Sequence, residues 1–445
     1  MASSSKAYRD LQRGFVENNR RSEAIYEKAV RSLPGGNTRS VLFYSPFPVA
    51  IRKASGSRLF DADGHEYIDM LGEYTAGLYG HSDPYILRAI TEAANRGLNY
   101  GGHHEDESKL ADLVKQRFSS IELLRFTNSG TEATLMALAA ARAYTQRNKI
   151  LVFGGAYHRG AFSFGGGRTG PVNAPFEFLV GEYNNADSAK LLVTDPKNVK
   201  DIAAVLVEPM LGSGGAIPAT HDFLRNLRHL ATQTGAVLIF DEVMTSRMHQ
   251  GGGIQSQLPS ELRPDMTTLG KYIGGGLSFG AFGGKRSIME QFDPRRTGAL
   301  AHAGTFNNNT LTMAAGRVGL EQVFTSGRAA NLHRKGEDLR KTVNDLAGGT
   351  LLKATGYGSI ITIHFTETPV EEIRRPSDVG DTHKVLGDVL HLFLLSKGFY
   401  IARRGFIALS LALSDGELSD FVTVMKDFIQ TYRQVLQPAN TRARL

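Results

Sequence analysis

The stretch Ala236-Val237-Leu238-Ile239-Phe240-Asp241-Glu242-Val243 places five consecutive apolar residues directly before two carboxylates. Short apolar runs rich in β-branched residues are typical of strands that are buried on both faces of a parallel sheet. Ile150-Leu151-Val152-Phe153 and Ala204-Val205-Leu206-Val207 have the same character, and a stretch between such runs, 222–234, has helical character. Because strands alternate with helices in this way, the sequence predicts an α/β domain with a mainly parallel sheet.

Both ends of the chain depart from this pattern. Short strand-like pieces precede Met70, and near the C-terminus Ser414-Asp415-Gly416-Glu417 has the form of a capping box that begins an amphipathic helix. We therefore expect the two ends to build one smaller α+β domain beside the large one. The predicted segments are 1–70 for the N-terminal part of the smaller domain, 71–324 for the large domain and 325–445 for the C-terminal part of the smaller domain.

The composition excludes several kinds of chemistry. The 445 residues include no cysteine, which rules out disulfides, thiolate catalysis and Cys-ligated zinc, and we predict no metal site. The formal net charge of +7 comes from basic residues interspersed with acidic ones, so we expect no nucleic-acid partner. No apolar stretch reaches the length of a membrane span, and the first residues do not resemble a targeting peptide. We expect a soluble, intracellular protein of the cytoplasm without a membrane partner.

A candidate phosphate site lies at Phe126-Thr127-Asn128-Ser129-Gly130-Thr131-Glu132-Ala133. A short apolar run precedes this stretch and a strong helix former follows it, so we expect a strand, a tight turn and the start of a helix. Backbone N–H groups and the dipole at such a helix start favour an anion. A second interpretation stays open, because Ser129 and Glu132 also fit a plain capping box that binds no ligand.

Two single residues are further candidates for chemistry. Asp241 ends a buried strand, at the edge where open α/β sheets bind ligands, and a buried carboxylate needs a cationic partner. A protonated pyridine nitrogen is one such partner, and the alternative is that Asp241 caps a helix or pairs with an arginine. Lys271 precedes the glycine run Gly274-Gly275-Gly276, and a desolvated lysine beside a cationic ring becomes a nucleophile toward aldehydes. Taken alone, a lysine is more often a solvated side chain.

The order of these motifs carries more information than any one of them. Along the chain come Asn128-Ser129-Gly130-Thr131-Glu132-Ala133, Phe240-Asp241-Glu242-Val243, Leu269-Gly270-Lys271 and Gly304-Thr305-Phe306. In order and spacing the sequence resembles the class III aminotransferases of fold-type I, which depend on pyridoxal 5′-phosphate (PLP), over nearly the whole chain. The resemblance implies a fold-type I PLP transferase with a small-molecule amino donor and a keto-acid acceptor.

The resemblance also implies a role for the residues around the cofactor ring. Lys271 forms a Schiff base with PLP and moves the proton during ping-pong transamination. Asp241 pairs with the ring N–H and keeps the ring protonated. Tyr157 and Val243 cover the two faces of the ring, and Glu208 lies on the side of the ring hydroxyl.

A second group of residues is implied to hold the phosphate. Gly130 and Thr131 bind it, with Ser129 close by. Thr305 reaches the phosphate of a neighbouring subunit, which implies a homodimer with shared active sites. Three histidines near these motifs are expected to be packing or rim residues instead: His103, His104 and His158.

Within the class, the sequence looks like the β-amino-acid aminotransferases of the β-phenylalanine type at residues 37–44, 73–77, 305–309 and 404–406. That subgroup implies that Arg39 binds the carboxylate of the β-amino acid and that Arg404 binds the α-carboxylate of a keto acid such as 2-oxoglutarate or pyruvate. A structural ion pair near a turn is the alternative for Arg39. The alternative functions are a glutamate-1-semialdehyde-type aminomutase, an ω-amine transaminase and a non-catalytic binding protein with the PLP fold.

Overall fold

The structure, a computed structural model, describes residues 2–380 and 384–438. Its helices, numbered in chain order, are α1 (Ala2–Asn18), α2 (Arg20–Ala29), α3 (Pro84–Arg96), α4 (Glu105–Arg117), α5 (Gly130–Thr145), α6 (Ala186–Thr194), α7 (His221–Thr234), α8 (Arg286–Met289), α9 (Thr310–Val318), α10 (Ser326–Leu346), α11 (Lys384–Ser396), α12 (Asp415–Thr431) and α13 (Arg433–Leu436). Its strands are β1 (Ile51–Ser55), β2 (Arg58–Asp61), β3 (Glu66–Asp69), β4 (Leu123–Thr127), β5 (Lys149–Phe153), β6 (Glu177–Gly181), β7 (Ile202–Val207), β8 (Met210–Leu211), β9 (Ile217–Pro218), β10 (Val237–Asp241), β11 (Met266–Gly270), β12 (Gly280–Gly284), β13 (Leu352–Tyr357), β14 (Ile360–Phe365), β15 (Phe399–Tyr400) and β16 (Phe406–Ala408).

The chain forms two compact units. The terminal unit comprises the described residues up to Asp83, residues 334–373 and the described residues from Ser377 onward. The central unit comprises residues 84–333 together with the short segment 374–376. The segment limits that the sequence suggests, at residues 70 and 325, stay a prediction.

The central unit is built on a seven-stranded sheet in the order β4-β12-β11-β10-β7-β5-β6. Strand β12 runs antiparallel to both of its neighbours, and the other neighbouring pairs are parallel. Every residue of β7 and β10 is buried, as expected of continuous apolar runs in a parallel sheet. The α/β prediction is therefore confirmed, and the reversed strand β12 is the feature that the sequence did not indicate.

The direction of the strands gathers the candidate residues at one edge of this sheet. Strands β4, β5, β7, β10 and β11 all run the same way, because β12 is antiparallel to both β4 and β11. Their carboxyl ends therefore share the edge at which open α/β sheets bind ligands. At these strand ends, or just beyond them, lie Ser129, Tyr157, Glu208, Asp241 and Lys271.

The terminal unit contains a four-stranded sheet in the order β1-β2-β3-β15 and a three-stranded sheet in the order β13-β14-β16. Strand β15 pairs in parallel with β3, so both ends of the chain contribute to one sheet. The predicted capping box at the start of α12 is confirmed, because Ser414 Oγ accepts from the Glu417 N–H at 3.2 Å and the Glu417 carboxylate accepts from the Ser414 N–H at 2.8 Å. None of the helices in the described ranges is both long and apolar enough to cross a bilayer.

Candidate active site

The end of β4 leads into a helix whose first turn combines capping with free backbone donors. The hydroxyl of Ser129 accepts a hydrogen bond from the Glu132 N–H at 3.2 Å, and the Glu132 carboxylate accepts one from the Asn128 N–H at 2.9 Å. Ser129 therefore caps α5 as expected, but the Glu132 carboxylate accepts from the N–H of Asn128 and not from that of Ser129, so the stretch forms only one half of a capping box. By the geometry of a helix, the N–H groups of Gly130 and Thr131 in the first turn of α5 have no acceptor within the helix, and such groups donate to phosphates. Capping and anion binding are compatible here.

Two glycines bring neighbouring strand ends close together around Val243, which is buried. A Cβ atom on Gly130 would lie 3.2 Å from both Val243 methyl carbons, and a Cβ atom on Gly270 would lie 2.9 Å from one of them. The Cβ position of Gly270 also lies 3.6 Å from the Cα atom of Gly130. A larger residue at either position would fill this space, so glycine is needed both where α5 begins and where β11 ends.

Asp241 lies buried at the end of β10 and is surrounded by donors. Its carboxylate accepts hydrogen bonds from His158 Nδ1 at 2.8 Å and from the Val243 N–H at 3.1 Å, and it lies 3.4 Å from the Arg159 guanidinium. Burial by itself raises the pKa of Asp241, but the charge of Arg159 and the hydrogen bond from His158 outweigh it and hold the pKa at about 2. Asp241 is therefore ionised at neutral pH, which is the form that pairs with a protonated pyridine nitrogen.

The pKa of Glu208, which lies just beyond β7, is shifted in the opposite direction to the pKa of Asp241. Burial raises the pKa of Glu208; His158 opposes this effect and the Asp241 charge adds to it. The two carboxyl oxygens accept hydrogen bonds from the Tyr157 N–H at 2.8 Å and the Gly212 N–H at 3.0 Å. Neighbouring carboxyl groups whose pKa values move apart are typical of sites where the two groups have different roles.

Lys271 directly follows β11 and has a left-handed backbone conformation, with φ at 59°. This conformation is uncommon for residues other than glycine, and it clusters at functional sites whose surroundings hold the strained backbone. Lys271 is half-buried, which separates it from the solvated surface lysines that are the alternative for a lone lysine. Tyr157, beyond β5, is also half-buried.

The groups at this edge of the sheet fit PLP, the cofactor that the sequence resemblance implies. An anion-binding helix start, a buried ionised carboxylate, a carboxyl group with a raised pKa and a lysine amine match its phosphate, ring nitrogen, ring hydroxyl and aldehyde. Val243, close to the two glycines, is an apolar side chain that fits against the face of such a ring. The residues present therefore provide a partner for each chemical group of the cofactor.

Thr305 lies on an exposed turn of the central unit and not in the buried cluster. Its carbonyl accepts a hydrogen bond from Asn99 Nδ2 at 3.1 Å, and the side chain of the next residue, Phe306, is 59% exposed. Asn128 donates to Asn307 Oδ1 at 3.0 Å, which ties this turn to the segment between β4 and α5. A role for Thr305 toward a neighbouring subunit stays a prediction.

The two predicted substrate arginines lie in the terminal unit, where one tyrosine ring brings them together. The guanidinium carbon of Arg39 lies 5.5 Å, and that of Arg404 5.3 Å, from the centroid of the Tyr74 ring. Tyr74 stacks on Phe406 with centroids 5.7 Å apart, and its hydroxyl donates to the Val41 carbonyl at 3.2 Å. Both arginines are exposed whereas Tyr74 is buried, so the ring is the fixed group that both guanidinium groups contact. We call Arg39 and Arg404 the arginine pair.

Contacts in the same unit distinguish Arg404 from its neighbour in sequence. Arg403 forms a two-point ion pair with Asp388, with N–O distances of 2.5 and 2.9 Å. Arg404 instead lies over the rings of Tyr74 and Phe406. Over residues 2–380 and 384–438 Arg39 forms no ion pair with a carboxylate, so the alternative of a structural ion pair has no support.

Three residues of these groups have contacts that the sequence did not predict, although Tyr74 lies within the stretch 73–77 that resembles the β-phenylalanine type. We expected His158 to be a packing or rim residue; it is fully buried, but its ring also donates to Asp241, which makes it part of the carboxylate's surroundings. Tyr74 and Arg159 reach their partners from backbone conformations with positive φ, 54° and 81°. Patterns of apolar and polar residues carry no signal for such a conformation, and the only hint for His158 and Arg159 is that they directly follow Tyr157.

A family model, two known proteins and one crystal structure are similar to this chain over most of its length. The model for aminotransferase class-III matches residues 43–428. A β-phenylalanine transaminase of Variovorax paradoxus is 48% identical over 437 residues, which cover 98% of either chain. The crystal structure of a β-phenylalanine aminotransferase from Variovorax paradoxus matches with a TM-score of 0.94 at 47% identity, over 98% of this chain and 100% of that chain. The glutamate-1-semialdehyde 2,1-aminomutase 2 of Brevibacillus brevis is 39% identical over 369 residues, which cover 79% of this chain and 85% of that protein.

Proposed function

The chain belongs to the class III aminotransferases, which depend on PLP, and from this premise we propose that its amino donor is a β-amino acid. The proposed donor is of the 3-amino-3-phenylpropanoate type, and the proposed acceptor is an α-keto acid such as 2-oxoglutarate or pyruvate. The observation that carries the proposal is the arginine pair on Tyr74, because it offers two guanidinium groups for two kinds of carboxylate. The similarity to the β-phenylalanine transaminase of Variovorax paradoxus supports it.

Residues of the central unit supply the steps that every donor shares. When bound, PLP supplies an aldehyde that accepts the amino group and a protonated ring that withdraws electrons from the reacting carbon. We assign Asp241, buried and ionised, to the ring nitrogen, whose proton it holds, and Glu208 to the side of the ring hydroxyl. Lys271 would hold the cofactor through its amine. The same amine would also move a proton at the reacting carbon of the substrate.

The remaining residues of the cluster orient the cofactor. We assign its phosphate to the N–H groups of Gly130 and Thr131, with the Ser129 hydroxyl beside them. Tyr157 and Val243 are assigned to the two faces of the ring. Val243 is held between two glycines, which fixes its apolar surface in position.

Two guanidinium groups match the two different carboxylate positions of a β-amino acid and an α-keto acid. The carboxylate of a β-amino acid lies one carbon further from the reacting amine than that of an α-amino acid, so one fixed guanidinium does not serve both equally. We assign Arg39 to the β-amino acid and Arg404 to the α-carboxylate of the keto acid. A guanidinium that stacks on a ring still presents N–H groups at its edge, which is where a carboxylate binds at two points.

We also propose a homodimer with shared active sites, in which Thr305 binds at the phosphate site of the partner subunit. Two exposed apolar side chains lie near Thr305 in the chain or through its contacts: Phe306 is 59% and Leu98 64% exposed, and Asn99, next to Leu98, donates to the Thr305 carbonyl. Apolar side chains grouped on a surface are typical of an interaction site. Light scattering should give twice the mass of the chain, and a fully active monomer would contradict the shared site.

Replacing each arginine separately tests the two assignments. Arg39→Ala should raise the KM for 3-amino-3-phenylpropanoate by about 10- to 100-fold, since a hydrogen bond to a charged group contributes about 1.5–3 kcal/mol, and should leave the KM for 2-oxoglutarate almost unchanged. Arg404→Ala should have the reverse effect. Arg52→Ala removes an exposed guanidinium from β1 and serves as the control. Equal effects of Arg39→Ala on both substrates would reject the assignments.

The same assay distinguishes the alternative functions. The aminomutase of Brevibacillus brevis is also similar to this chain, and an aminomutase turns over its substrate without any external keto acid. Turnover under that condition would favour this alternative. An ω-amine transaminase would accept amines that lack a carboxylate, and Arg39→Ala would then leave the KM for the amine unchanged.

A further inference from the structure

The guanidinium of Arg159 lies among the residues assigned to the cofactor. Its Nη2 atom is 3.4 Å from Asp241 Oδ1, and its Nη1 atom donates to the Tyr157 carbonyl at 3.2 Å. Its Nε atom is 2.9 Å from the position that a Cβ atom on Gly130 would take. The side chain is only 13% exposed. One cation therefore lies beside the residues assigned to the ring nitrogen, a ring face and the phosphate.

The backbone at Arg159 is strained. Its φ of 81° lies in the left-handed region, which residues with a Cβ atom rarely adopt. Arg159 lies in a tight turn that is closed by hydrogen bonds from the His158 N–H to the Phe162 carbonyl at 2.8 Å and from the Phe162 N–H to the Arg159 carbonyl at 2.9 Å. Glycine adopts this conformation without strain, so the turn alone does not explain an arginine at this position.

The position of the guanidinium charge beside Asp241 offers an explanation for an arginine at residue 159. Asp241 is buried, and its carboxylate already pairs with the guanidinium of Arg159. A protonated ring nitrogen would therefore be a second cation at the same carboxylate. Two cations that share one carboxylate repel each other, and this repulsion is poorly screened in a buried site. Each cation is then bound less tightly than it would be if it were alone.

We propose that Arg159 shares Asp241 with the ring nitrogen of PLP and thereby weakens cofactor binding and the hold of the ring on its proton. Arg159 is a positioning residue that acts through Asp241 and takes no part in bond making. The inference rests on the proposed pairing of Asp241 with the ring nitrogen. It is independent of the identity of the amino donor.

Titration of the full chain, freed of cofactor, with PLP and separately with pyridoxal, which lacks the phosphate, tests the inference. Arg159→Gln and Arg159→Gly should each lower the Kd of both compounds by about ten-fold, as expected for the loss of a unit charge at short range. Arg159→Lys keeps the charge and should keep both Kd values close to those of the parent. Arg168→Gln removes an exposed arginine from the same region and should change neither value.

Two results would overturn the inference. A higher Kd for PLP with an unchanged Kd for pyridoxal would mean that the guanidinium serves the phosphate. Unchanged values for both compounds in Arg159→Gln and Arg159→Gly would mean that the charge has no effect on the cofactor. Thermal unfolding of each variant, with Arg159→Gly suited to the turn, verifies that the variants are folded.

The Asp241→Asn variant separates this inference from the proposal on which it rests. If Asp241→Asn leaves the Kd of pyridoxal unchanged, the pairing of Asp241 with the ring is wrong and the inference falls with it. If Asp241→Asn weakens binding, then adding Arg159→Gln to that variant should produce no further tightening. A ten-fold tightening in the Asp241→Asn background would show that Arg159 acts through another group, and the inference would be wrong although the pairing stands.

Discussion

The buried cluster around Asp241 in the central unit and the arginine pair of the terminal unit are held in different ways. Asp241 is 2% exposed at the end of a buried strand, and His158 and Val243 fix its carboxylate with hydrogen bonds of 2.8 and 3.1 Å. Arg39 and Arg404 are exposed, and each lies over one shared ring at 5.5 and 5.3 Å. The carboxylate has one orientation, whereas a guanidinium over a ring can slide and turn on its flexible side chain.

This difference corresponds to the chemistry that we propose for each region. The cofactor presents the same atoms in every reaction cycle, so buried groups with matched charges serve it best. The two substrates present carboxylates at different distances from the reacting amine, and mobile cations accommodate that variation.

The largest effect is expected at Lys271 in the central unit. Lys271→Ala should lower transamination by more than about 1000-fold, because both the attachment of the cofactor and the proton transfer are lost, and it should abolish the absorbance band of the lysine-bound cofactor. Lys285→Ala, which removes an exposed lysine paired with Asp265, should keep both the activity and the band. Normal turnover by Lys271→Ala would show that the reacting centre lies elsewhere.

A smaller effect is expected from one buried histidine of the terminal unit, His391. Burial, with the charge of Arg403 adding to it, lowers the pKa of His391 from 6.5 to about 3. The unfolded chain binds this proton near pH 6.5, so the contribution of His391 to the free energy of unfolding should fall by about 1.4 kcal/mol for each unit by which the pH is lowered between about 6.5 and 3. Asp241 has a pKa lowered to about 2, so its contribution is fully present above its ordinary value of 3.8 and is lost only in stronger acid.

Urea unfolding at pH 7 and at about pH 5.5 measures this difference. His391→Leu should remove most of the loss of stability between the two pH values. His229→Leu, on the exposed surface of α7, is the control and should leave the pH dependence intact. An unchanged pH dependence in His391→Leu would show that the buried imidazole is not the group that titrates.

The smallest effect is expected when the Tyr74 ring, which both arginines contact, is replaced. Tyr74→Leu should raise the KM for both the β-amino acid and the keto acid by about two- to five-fold, because a cation–π contact at an exposed site contributes about 0.5–1 kcal/mol. Tyr74→Phe keeps the ring but removes the hydroxyl that donates to the Val41 carbonyl, and it should leave both values close to those of the parent. A change in only one KM would show that the two arginines do not depend on a common ring.

The sequence indicated the buried cluster well because buried parallel strands have a strong pattern. The apolar run 236–240 becomes β10, and its carboxyl end marks the position of Asp241. Lys271 and Glu208 follow two other strands of the same direction, so the motif order already implied a common edge. The role of each residue toward the cofactor came from the family resemblance, since periodicity alone indicates only where a strand ends.

Other features could not be predicted, and each has a physical reason. The reversed strand β12 contains three glycines, which are poor strand formers, and a Cβ atom on Gly280 would overlap the Ser129 carbonyl oxygen. The strand therefore exists because of close backbone packing, which the sequence does not display. The contacts of Tyr74 and Arg159 likewise depend on left-handed backbone conformations of residues that rarely adopt them.

The most direct test of the proposed function is a half-reaction. The PLP-loaded enzyme is mixed with 3-amino-3-phenylpropanoate without any keto acid, and the absorbance of the lysine-bound cofactor is followed. We predict that this band disappears with stoichiometric release of the β-keto acid, that 2-oxoglutarate restores it, and that Arg39→Ala requires a much higher concentration of the amino acid. A band that persists with the β-amino acid but disappears with α-amino acids or simple amines would contradict the proposal.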